Sequence, residues 1–345
     1  MAIKIKLKDI SEYRKFTPAE GGKIYAELRA EIVKAGILDR DYPSYIVLTL
    51  INFGGFFFGV YQFYIQHNPI LVMMWALTVG FFAVQIGGLI HDAAHRSIFK
   101  SVRNNDLYGY FASFINAFPY SVWKVKHNIH HAHVNESEED PDLQIPFSFT
   151  DDRFKGKKGM IGFIRRYQKW LFYPLGSLVS YSIRIKAFGY YLQNLNRQIF
   201  FEMILVLTGL FFWYIFPFMI MPLWKALIFL TIVNQSGGFY LLNVFAPNHK
   251  GMPQFDKDVK FSFLEHQIVA SRNIYGHWLT DYVYLGLNYQ IEHHLFPDCP
   301  RNSLKRVSPY VQKLCKKYNL PYLQMTPLES NSFILSELDA VAKST

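Results

Sequence analysis

The 345 residues are 51% hydrophobic and 18% aromatic, yet 18% are charged, so long apolar runs must alternate with polar segments instead of forming one evenly patterned soluble domain. A net charge of +10 fits nucleic acid, an anionic membrane surface or an acidic partner; the apolar runs favour the membrane and exclude nucleic acid. The cysteines, Cys299 and Cys315, lack the spacing of a zinc or thioredoxin motif.

Residues 1–44 are predicted to be a polar N-terminal segment without the apolar core of a cleaved secretory signal. Residues 45–345 would form one domain. Four apolar stretches in this domain are long enough to cross a bilayer as helices, which takes about 20 residues. They cover residues 45–66, 69–90, 198–218 and 221–245. The short connections at His67-Asn68 and around Pro217 and Pro222 predict two helical hairpins.

The uneven distribution of basic residues predicts the orientation in the membrane. Residues 45–90 contain no Lys or Arg and residues 198–245 contain only Lys225, which leaves 35 of the 36 basic residues in the other segments. The positive-inside rule places those segments in the cytoplasm. The predicted fold is therefore an all-α integral membrane protein with four transmembrane helices in two hairpins. Both termini and a helical cap, formed by residues 91–197 and 246–345, would be cytosolic.

Two half-apolar stretches within the cap, residues 107–123 and 161–192, are interrupted by Pro, Arg or Lys. We expect helices that lie in the membrane interface rather than cross it; a cytosolic helical layer without lipid contact is the alternative. Basic side chains of the second stretch would then face lipid headgroups. These are Arg165, Arg166, Lys169, Arg184 and Lys186.

Seven of the 12 histidines lie in three short clusters, all on the predicted cytosolic side. The clusters are His91-Asp-Ala-Ala-His95, His127-Asn-Ile-His130-His131 and Gln290-Ile-Glu-His293-His294. Residues three and four apart share one face of a helix, about 5–6 Å from each other, so each cluster presents nitrogen ligands together. Imidazole binds Zn, Cu, Fe and Ni. Seven imidazoles exceed the needs of one tetrahedral zinc, so two metal ions are the simplest interpretation.

A single histidine is more often a surface or hydrogen-bonded core residue than a metal ligand. Here seven histidines lie in three clusters next to helix ends, on one predicted side of a membrane. A surface or core role for all seven is therefore a poor explanation. A zinc hydrolase site is the competing metal interpretation. Such a site needs about three protein ligands and one open position, which leaves several of these histidines without a role.

The three clusters resemble the histidine boxes of membrane fatty acid desaturases. The third, with Gln290 in place of a first histidine, is similar to that of front-end desaturases and their bacterial acyl desaturase relatives. The resemblance continues in Asp140-Pro-Asp142-Leu and in Leu287-Asn-Tyr-Gln-Ile-Glu-His-His-Leu-Phe-Pro297, and it covers most of the chain from about Tyr45 to Tyr322. It implies a four-span fold with a cytosolic cap, a centre of two iron ions held mainly by histidines, and O₂ as co-substrate.

The resemblance also implies which residues bind iron. By their places in the boxes, the ligands would be His91, His95, His127, His130, His131, His293 and His294. Relatives take one further histidine from just after the fourth span. His249 is the candidate for that ligand and His277 is the rival. Gln290 would be a weak or outer ligand, and Asn273 would hold a water on iron.

Carboxylates usually hold the second ring nitrogen of a metal-binding histidine. Asp92 and Glu292 lie inside the boxes and Asp140 and Asp142 follow the second box, so these four are candidates for that role. A solvated acidic loop is the alternative for the last two. His133 and His266 are expected to be solvent-facing or structural residues.

Front-end enzymes often carry a fused cytochrome b5-type domain with a His-Pro-Gly-Gly motif. This sequence has neither that motif nor a Gly-x-Gly-x-x-Gly fingerprint for a flavin or nicotinamide. We therefore expect a separate electron carrier, such as a ferredoxin, a cytochrome b5-type protein or a reductase. Basic residues of the cap would dock an acidic carrier or acyl-CoA phosphates; attraction to the membrane surface is the alternative. These residues are Lys155, Lys157, Lys158, Arg301, Lys305 and Arg306.

The predicted function is O₂-dependent introduction of a cis double bond into a long-chain acyl-CoA or acyl-lipid. Breaking an unactivated C–H bond needs a strong oxidant, which a redox-active metal and O₂ can make and zinc cannot. Lipid hydroxylation on the same scaffold is an alternative that the boxes do not separate, and a membrane zinc hydrolase is another. A metal transporter would carry ionisable residues within its spans. The predicted spans contain only Glu202 and Lys225, which disfavours a transporter.

Overall fold

A computed structural model describes residues 10–150, 158–256 and 260–344. Four of its helices are long and apolar enough to cross a membrane, which confirms the number and approximate place of the predicted spans. They are Tyr42–Ile65, Pro69–Ala94, Arg197–Ile220 and Leu223–His249. The second and fourth extend beyond the predicted limits, to Ala94 and His249. His91 therefore lies in the last turn of the second span helix, and His249 ends the fourth.

The starts of these helices follow from their sequences. Asp41 accepts a hydrogen bond from the Ser44 amide at 3.2 Å, and Asn68 accepts one from the Ile70 amide at 2.9 Å. Asn196 accepts one from the Gln198 amide at 2.9 Å. Such side chains satisfy backbone amides that have no partner in the first turn of a helix. Short π-helical turns, Phe211–Ile215 and Phe229–Val233, interrupt the third and fourth span helices.

Shorter helices account for most of the remaining described residues. They are Pro18–Lys34, Val102–Asn116, Tyr120–Ala132, Gly159–Arg166, Gln168–Gly176, Val179–Gln193, Phe263–Val269, Trp278–Val283, Gln290–Leu295, Leu304–Tyr318 and Pro327–Lys343. Short 3₁₀ turns cover Ile10–Tyr13, Pro141–Leu143 and Arg301–Ser303. The all-α prediction misses one small sheet, in which Asn273–Ile274 pairs in parallel with Gln324–Met325.

The chain divides into two compact units. The first, called the histidine-rich unit, comprises Met1–Asp39, His127–Phe172 and Val244–Thr345 within the described residues. Its apolar core includes Ile32, Leu264 and Val311, all fully buried. The second, called the span unit, comprises Arg40–Lys126 and Tyr173–Asn243.

The span unit has an apolar core to which the span helices contribute, among others, Phe63, Ile86 and Phe229. Gly80 shows how closely the second and fourth span helices approach: a Cβ atom at this position would lie 2.9 Å from the Val233 carbonyl oxygen. Small residues allow this kind of contact between helices in membranes.

The prediction that basic residues after the second cluster face headgroups is wrong for two of them. Arg165 is buried and its Nε donates to the Pro146 carbonyl at 3.2 Å. Arg184 donates from Nη2 to the Asn116 carbonyl at 2.9 Å. Both side chains therefore donate to backbone carbonyls of the protein.

Candidate metal centre

Six histidines form a contiguous group within the histidine-rich unit. They are His127, His130, His131, His249, His293 and His294. The rings of His131 and His294 stack with centroids 4.2 Å apart, and those of His131 and His293 lie 4.9 Å apart. The sequence clusters therefore come together in space, and His249 joins them from the end of the fourth span helix.

Three members of this group have the geometry of a metal site. One ring nitrogen from each of His130, His249 and His294 lies within 4.8 Å of the others. All three side chains are buried. Because these residues come from three separate stretches of the chain, helical spacing alone does not explain their meeting.

Each of these three histidines has its Nδ1 held by an oxygen atom. Nδ1 of His130 lies 3.0 Å from Asp140 Oδ1, and Nδ1 of His249 lies 3.1 Å from the Ala270 carbonyl. Nδ1 of His294 lies 2.8 Å from Gln267 Oε1. An oxygen acceptor on Nδ1 fixes the tautomer and leaves the Nε2 lone pair for a metal ion. Nε2 of His294 is buried without a hydrogen-bond partner, as expected of a nitrogen reserved for a metal.

The electrostatics of the group also fit metal binding. Burial, followed by repulsion from His131, lowers the pKa of His294 well below its usual range, so the ring is neutral. Burial alone would raise the pKa of Asp140, but the hydrogen bond and the charge interaction with His130, together with the charge of Lys250, outweigh it, so the pKa is lowered. Neutral imidazole beside a carboxylate is the form that binds a metal ion.

The other histidines of the group stand at distances typical of shared coordination. Nε2 of His131 lies 3.1 Å from Nε2 of His127. Two ligand nitrogens on one ion, with bonds of about 2.0–2.1 Å, are separated by roughly 3.0–3.4 Å. The ring centroid of His293 is 6.5 Å from that of His127 and 4.9 Å from that of His131, so the third cluster lies beside the second.

The first cluster belongs to the span unit. The rings of His91 and His95 have centroids 4.6 Å apart, as the helical spacing predicts. Nδ1 of His91 lies 3.3 Å from Asp92 Oδ1, so Asp92 contacts the ring as expected of an outer carboxylate.

The two candidates for the extra ligand lie in different surroundings. His249 is buried among the other histidines. His277 is exposed, and its Nδ1 accepts the amide hydrogen of Leu279 at the start of the helix Trp278–Val283. No metal-capable group among the described residues includes His277.

Asn273 and Glu292 bind each other. Asn273 Nδ2 donates to Glu292 Oε2 at 2.7 Å, and Asn273 Oδ1 accepts the Ile291 amide hydrogen at 2.8 Å. The Tyr322 hydroxyl donates to Glu292 Oε1 at 2.6 Å. Burial raises the pKa of Glu292. The role of Asn273 as a holder of iron-bound water stays a prediction; its hydrogen bonds support the backbone of the third cluster.

Sequence reasoning missed Gln267, which orients two clusters at once. Its Oε1 accepts from His294, and its Nε2 donates to the His131 carbonyl at 3.1 Å. No sequence signal marks this glutamine, since it stands alone in the short helix Phe263–Val269. His133 and His266 match the structural role expected of them: His133 Nδ1 lies 2.8 Å from Glu136 Oε2, and His266 Nε2 donates to the Val134 carbonyl at 2.7 Å.

Comparison with known proteins agrees with this geometry. Residues 68–326 match the family model described as fatty acid desaturase. The chain belongs to the fatty acid desaturase family.

Named relatives of this desaturase cover nearly all of its length. It is 28% identical to an acyl-lipid (9-3)-desaturase of Borago officinalis, over 94% of this chain and 75% of that protein. It is 30% identical to the Delta(5) fatty acid desaturase fat-4 of Caenorhabditis elegans, over 91% of this chain and 72% of that protein. It is 29% identical to a Delta(8)-fatty-acid desaturase of Euglena gracilis, over 94% of this chain and 80% of that protein. The protein is thus a membrane oxidoreductase that desaturates fatty acyl chains, and its histidine clusters are suited to hold the metal on which the family depends.

Proposed function

We propose that this desaturase holds two iron ions through its histidine clusters and uses O₂ and external electrons to place a cis double bond in a long-chain acyl group. The proposed ligands are His91, His95, His127, His130, His131, His249, His293 and His294. When bound, iron with O₂ supplies an oxidant strong enough to take hydrogen from an unactivated C–H bond. The observation that carries the proposal is the meeting of His130, His249 and His294, each with Nδ1 on an oxygen atom.

Residues around the ligands determine how well they bind. Asp140 accepts from His130 through Nδ1 and also accepts the backbone amides of Asn135 and Asp142, both at 2.8 Å. These contacts keep the carboxylate fixed and ionised behind the ring. A histidine backed by a fixed carboxylate is more basic and better oriented toward a metal.

We propose His249, rather than His277, as the ligand outside the three boxes. The support is its burial and its place beside His130 and His294, with ring centroids at 4.9 and 4.6 Å. His277 is exposed and serves as the cap of a short helix.

The four span helices are proposed to form two hairpins, with the histidine clusters and both termini in the cytoplasm. The near absence of Lys and Arg from the spans supports this orientation. His67 and Asn68, between the first two spans, are exposed and would face the opposite side. Cysteine introduced at His67 should react with a membrane-impermeant reagent added from outside, whereas cysteine at Lys313 should react only after the membrane is opened.

A separate acidic electron carrier is proposed to dock on the helix Leu304–Tyr318. This helix contains no acidic residue, and its outer face carries five exposed cations, Lys305, Arg306, Lys313, Lys316 and Lys317. Complementary charge speeds association with an acidic partner. Of the other basic residues considered, Arg301 is buried, so it is not offered for docking. Lys155 and Lys157 lie outside the described residues.

The proposed substrate is a long-chain acyl group on CoA or on a glycerolipid, in keeping with the names of the relatives. The decisive experiment combines metal analysis with product mapping. Purified protein should contain about two irons per chain, as the number of histidine ligands suggests. Cells that express it should convert a fed fatty acid to a product with one more cis double bond, and only when O₂ is present. Zinc without iron, or a hydroxylated product, would count against the proposal.

A further inference from the structure

Asn248, Gln290 and His249 are joined by a buried chain of hydrogen bonds. Asn248 Nδ2 lies 3.0 Å from Gln290 Oε1, and Gln290 Nε2 lies 2.8 Å from His249 Nε2. The exposures of Asn248 and Gln290 are 0% and 2%, so bulk water does not compete for these groups. Gln290 occupies the first position of the third cluster, where a histidine would stand in the pattern of the second.

A backbone carbonyl at one end of this chain decides how Asn248 is turned. Nδ2 of Asn248 also donates to the Val244 carbonyl at 3.0 Å, and a carbonyl oxygen can only accept. Asn248 therefore presents its amino group to both Val244 and Gln290. The atom of Gln290 that faces this amino group must be its oxygen.

A second carbonyl, at the other end, shows which nitrogen of His249 faces Gln290. Nδ1 of His249 lies 3.1 Å from the Ala270 carbonyl, so Nδ1 carries the ring hydrogen and Nε2 carries the free lone pair. This lone pair is the one that the proposed metal ion would take, and the amino group of Gln290 lies beside it. Turning Gln290 over would place its oxygen there and bring two amino groups together at Asn248.

We propose that Asn248 fixes Gln290 as a hydrogen-bond donor beside His249 and keeps its oxygen away from the metal, so that Gln290 is not a metal ligand. The inference rests on the metal centre proposed above. The 2.8 Å between Gln290 Nε2 and His249 Nε2 is close to the separation of two ligand atoms on one ion, given metal–nitrogen bonds of about 2.0–2.1 Å. An oxygen in this position would therefore be a ligand. An amide nitrogen offers no lone pair; it directs an N–H toward an oxygen-containing ligand or substrate atom next to His249.

Iron affinity of the full-length protein in detergent separates a donor from a ligand without reference to activity. Gln290→Leu removes the amide. Gln290→Glu puts an oxygen in the inward position while its other oxygen still accepts from Asn248. Because no ligand is lost, Gln290→Leu should keep the wild-type iron content and an affinity within about threefold. Because a ligand is gained, Gln290→Glu should bind iron at least about tenfold more tightly in chelator competition.

Asn248→Leu tests the positioning role. The variant frees Gln290 to turn its oxygen toward the ion, so iron affinity should rise by about tenfold. This rise should vanish in the double variant Asn248→Leu/Gln290→Leu, because no amide is left to turn. If Asn248 had only a structural role, Asn248→Leu would lower the iron affinity both of the wild-type protein and of the Gln290→Leu variant.

The outcomes separate this inference from the proposed function. Loss of iron in Gln290→Leu, to the level of His249→Ala, would overturn the inference and leave the metal centre standing. Wild-type affinity in Gln290→Glu, or in Asn248→Leu, would also overturn it. Wild-type protein that binds no iron would overturn both. Gln290→Met, unbranched and of similar length, replaces the leucine variant if that protein does not fold.

Discussion

Buried polar side chains are satisfied differently in the two units of the desaturase. In the histidine-rich unit, His130 and His294 each engage an oxygen through one ring nitrogen, Nδ1. In the span unit, buried Lys225 donates to the carbonyls of both Tyr64 and Gln66, at the end of the first span helix. The carboxylate of Glu202 accepts from the Ser121 amide and the Tyr191 hydroxyl.

This difference in hydrogen bonding distinguishes side chains that are suited to bind a metal ion from side chains that stabilise the fold. A charge that is fully engaged by backbone atoms stabilises a helix end, as Lys225 does at the negative end of the first span helix. A histidine with one nitrogen held and the other turned toward its neighbours is prepared for a metal ion. Substitutions in the two regions should therefore affect different observables: metal content in the first, thermal stability in the second.

The largest effect is expected for His294→Ala. This change removes a proposed ligand that no other described residue replaces, so product formation should cease and iron per chain should fall to less than about half of the wild-type value. Membrane insertion should be unchanged, because His294 lies outside the span helices. Metal analysis and lipid analysis check both points. His133→Ala is the matched control; full activity in the His294 variant would refute the ligand assignment.

His249→Ala and His277→Ala should differ sharply from each other. The first removes a buried ring from the group and should release iron, whereas the second removes an exposed helix cap and should cost about 1 kcal/mol of stability at most. Iron per chain in the two purified variants is the measurement. Loss of iron in the His277 variant alone would reverse the assignment.

Gln267→Leu should weaken the metal site without abolishing it. It removes the oxygen that holds His294 Nδ1, and loss of such an outer partner typically costs about 10–100-fold in metal affinity. Chelator competition measures the change. Gln193→Leu, on an exposed glutamine, should have no effect. If Gln267→Leu left the iron affinity unchanged, the hydrogen bond between Gln267 and His294 would have no effect on metal binding by His294.

Lys225→Met should have the smallest effect on metal binding and a clear effect on stability. Two carbonyls at the end of the first span helix lose their donor, which costs about 1–3 kcal/mol. The Tm of the detergent-solubilised protein should fall while iron per folded chain stays at the wild-type value. Lys186→Met, on an exposed lysine, is the control. If Lys225→Met lowered the iron content and left the Tm unchanged, the expected difference between the span unit and the histidine-rich unit would be contradicted.

Much of the fold could be read from the sequence because it depends on local composition. Uninterrupted apolar runs of span length identify the four long helices, since only a helix satisfies its own backbone in lipid. The limits of the second and fourth spans were underestimated because polar His91 and His249 continue the helices beyond the apolar residues. The inward turn of Arg165 and Arg184 could not be foreseen, because the carbonyls they bind come from distant parts of the chain.

The metal centre was predictable where its residues repeat at helical spacing and unpredictable where they do not. The spacing of His127, His130 and His131 marks them as candidate ligands. From the sequence His249 was one of two candidates for the extra ligand, and its burial is the basis for proposing it. Gln267 and Asn248 carry no sequence signal: each acts through a single amide that meets its partners only in the folded chain. The roles of Gln267 and Asn248 depend on the backbone carbonyl that each side-chain amide faces in the folded protein.

The most direct test of the central claim is metal analysis of the purified wild-type protein, expressed with ample iron. We predict about two irons per chain and little zinc, since six histidines lie together in one unit and two more lie at the end of the second span helix. Zinc without iron would contradict this prediction.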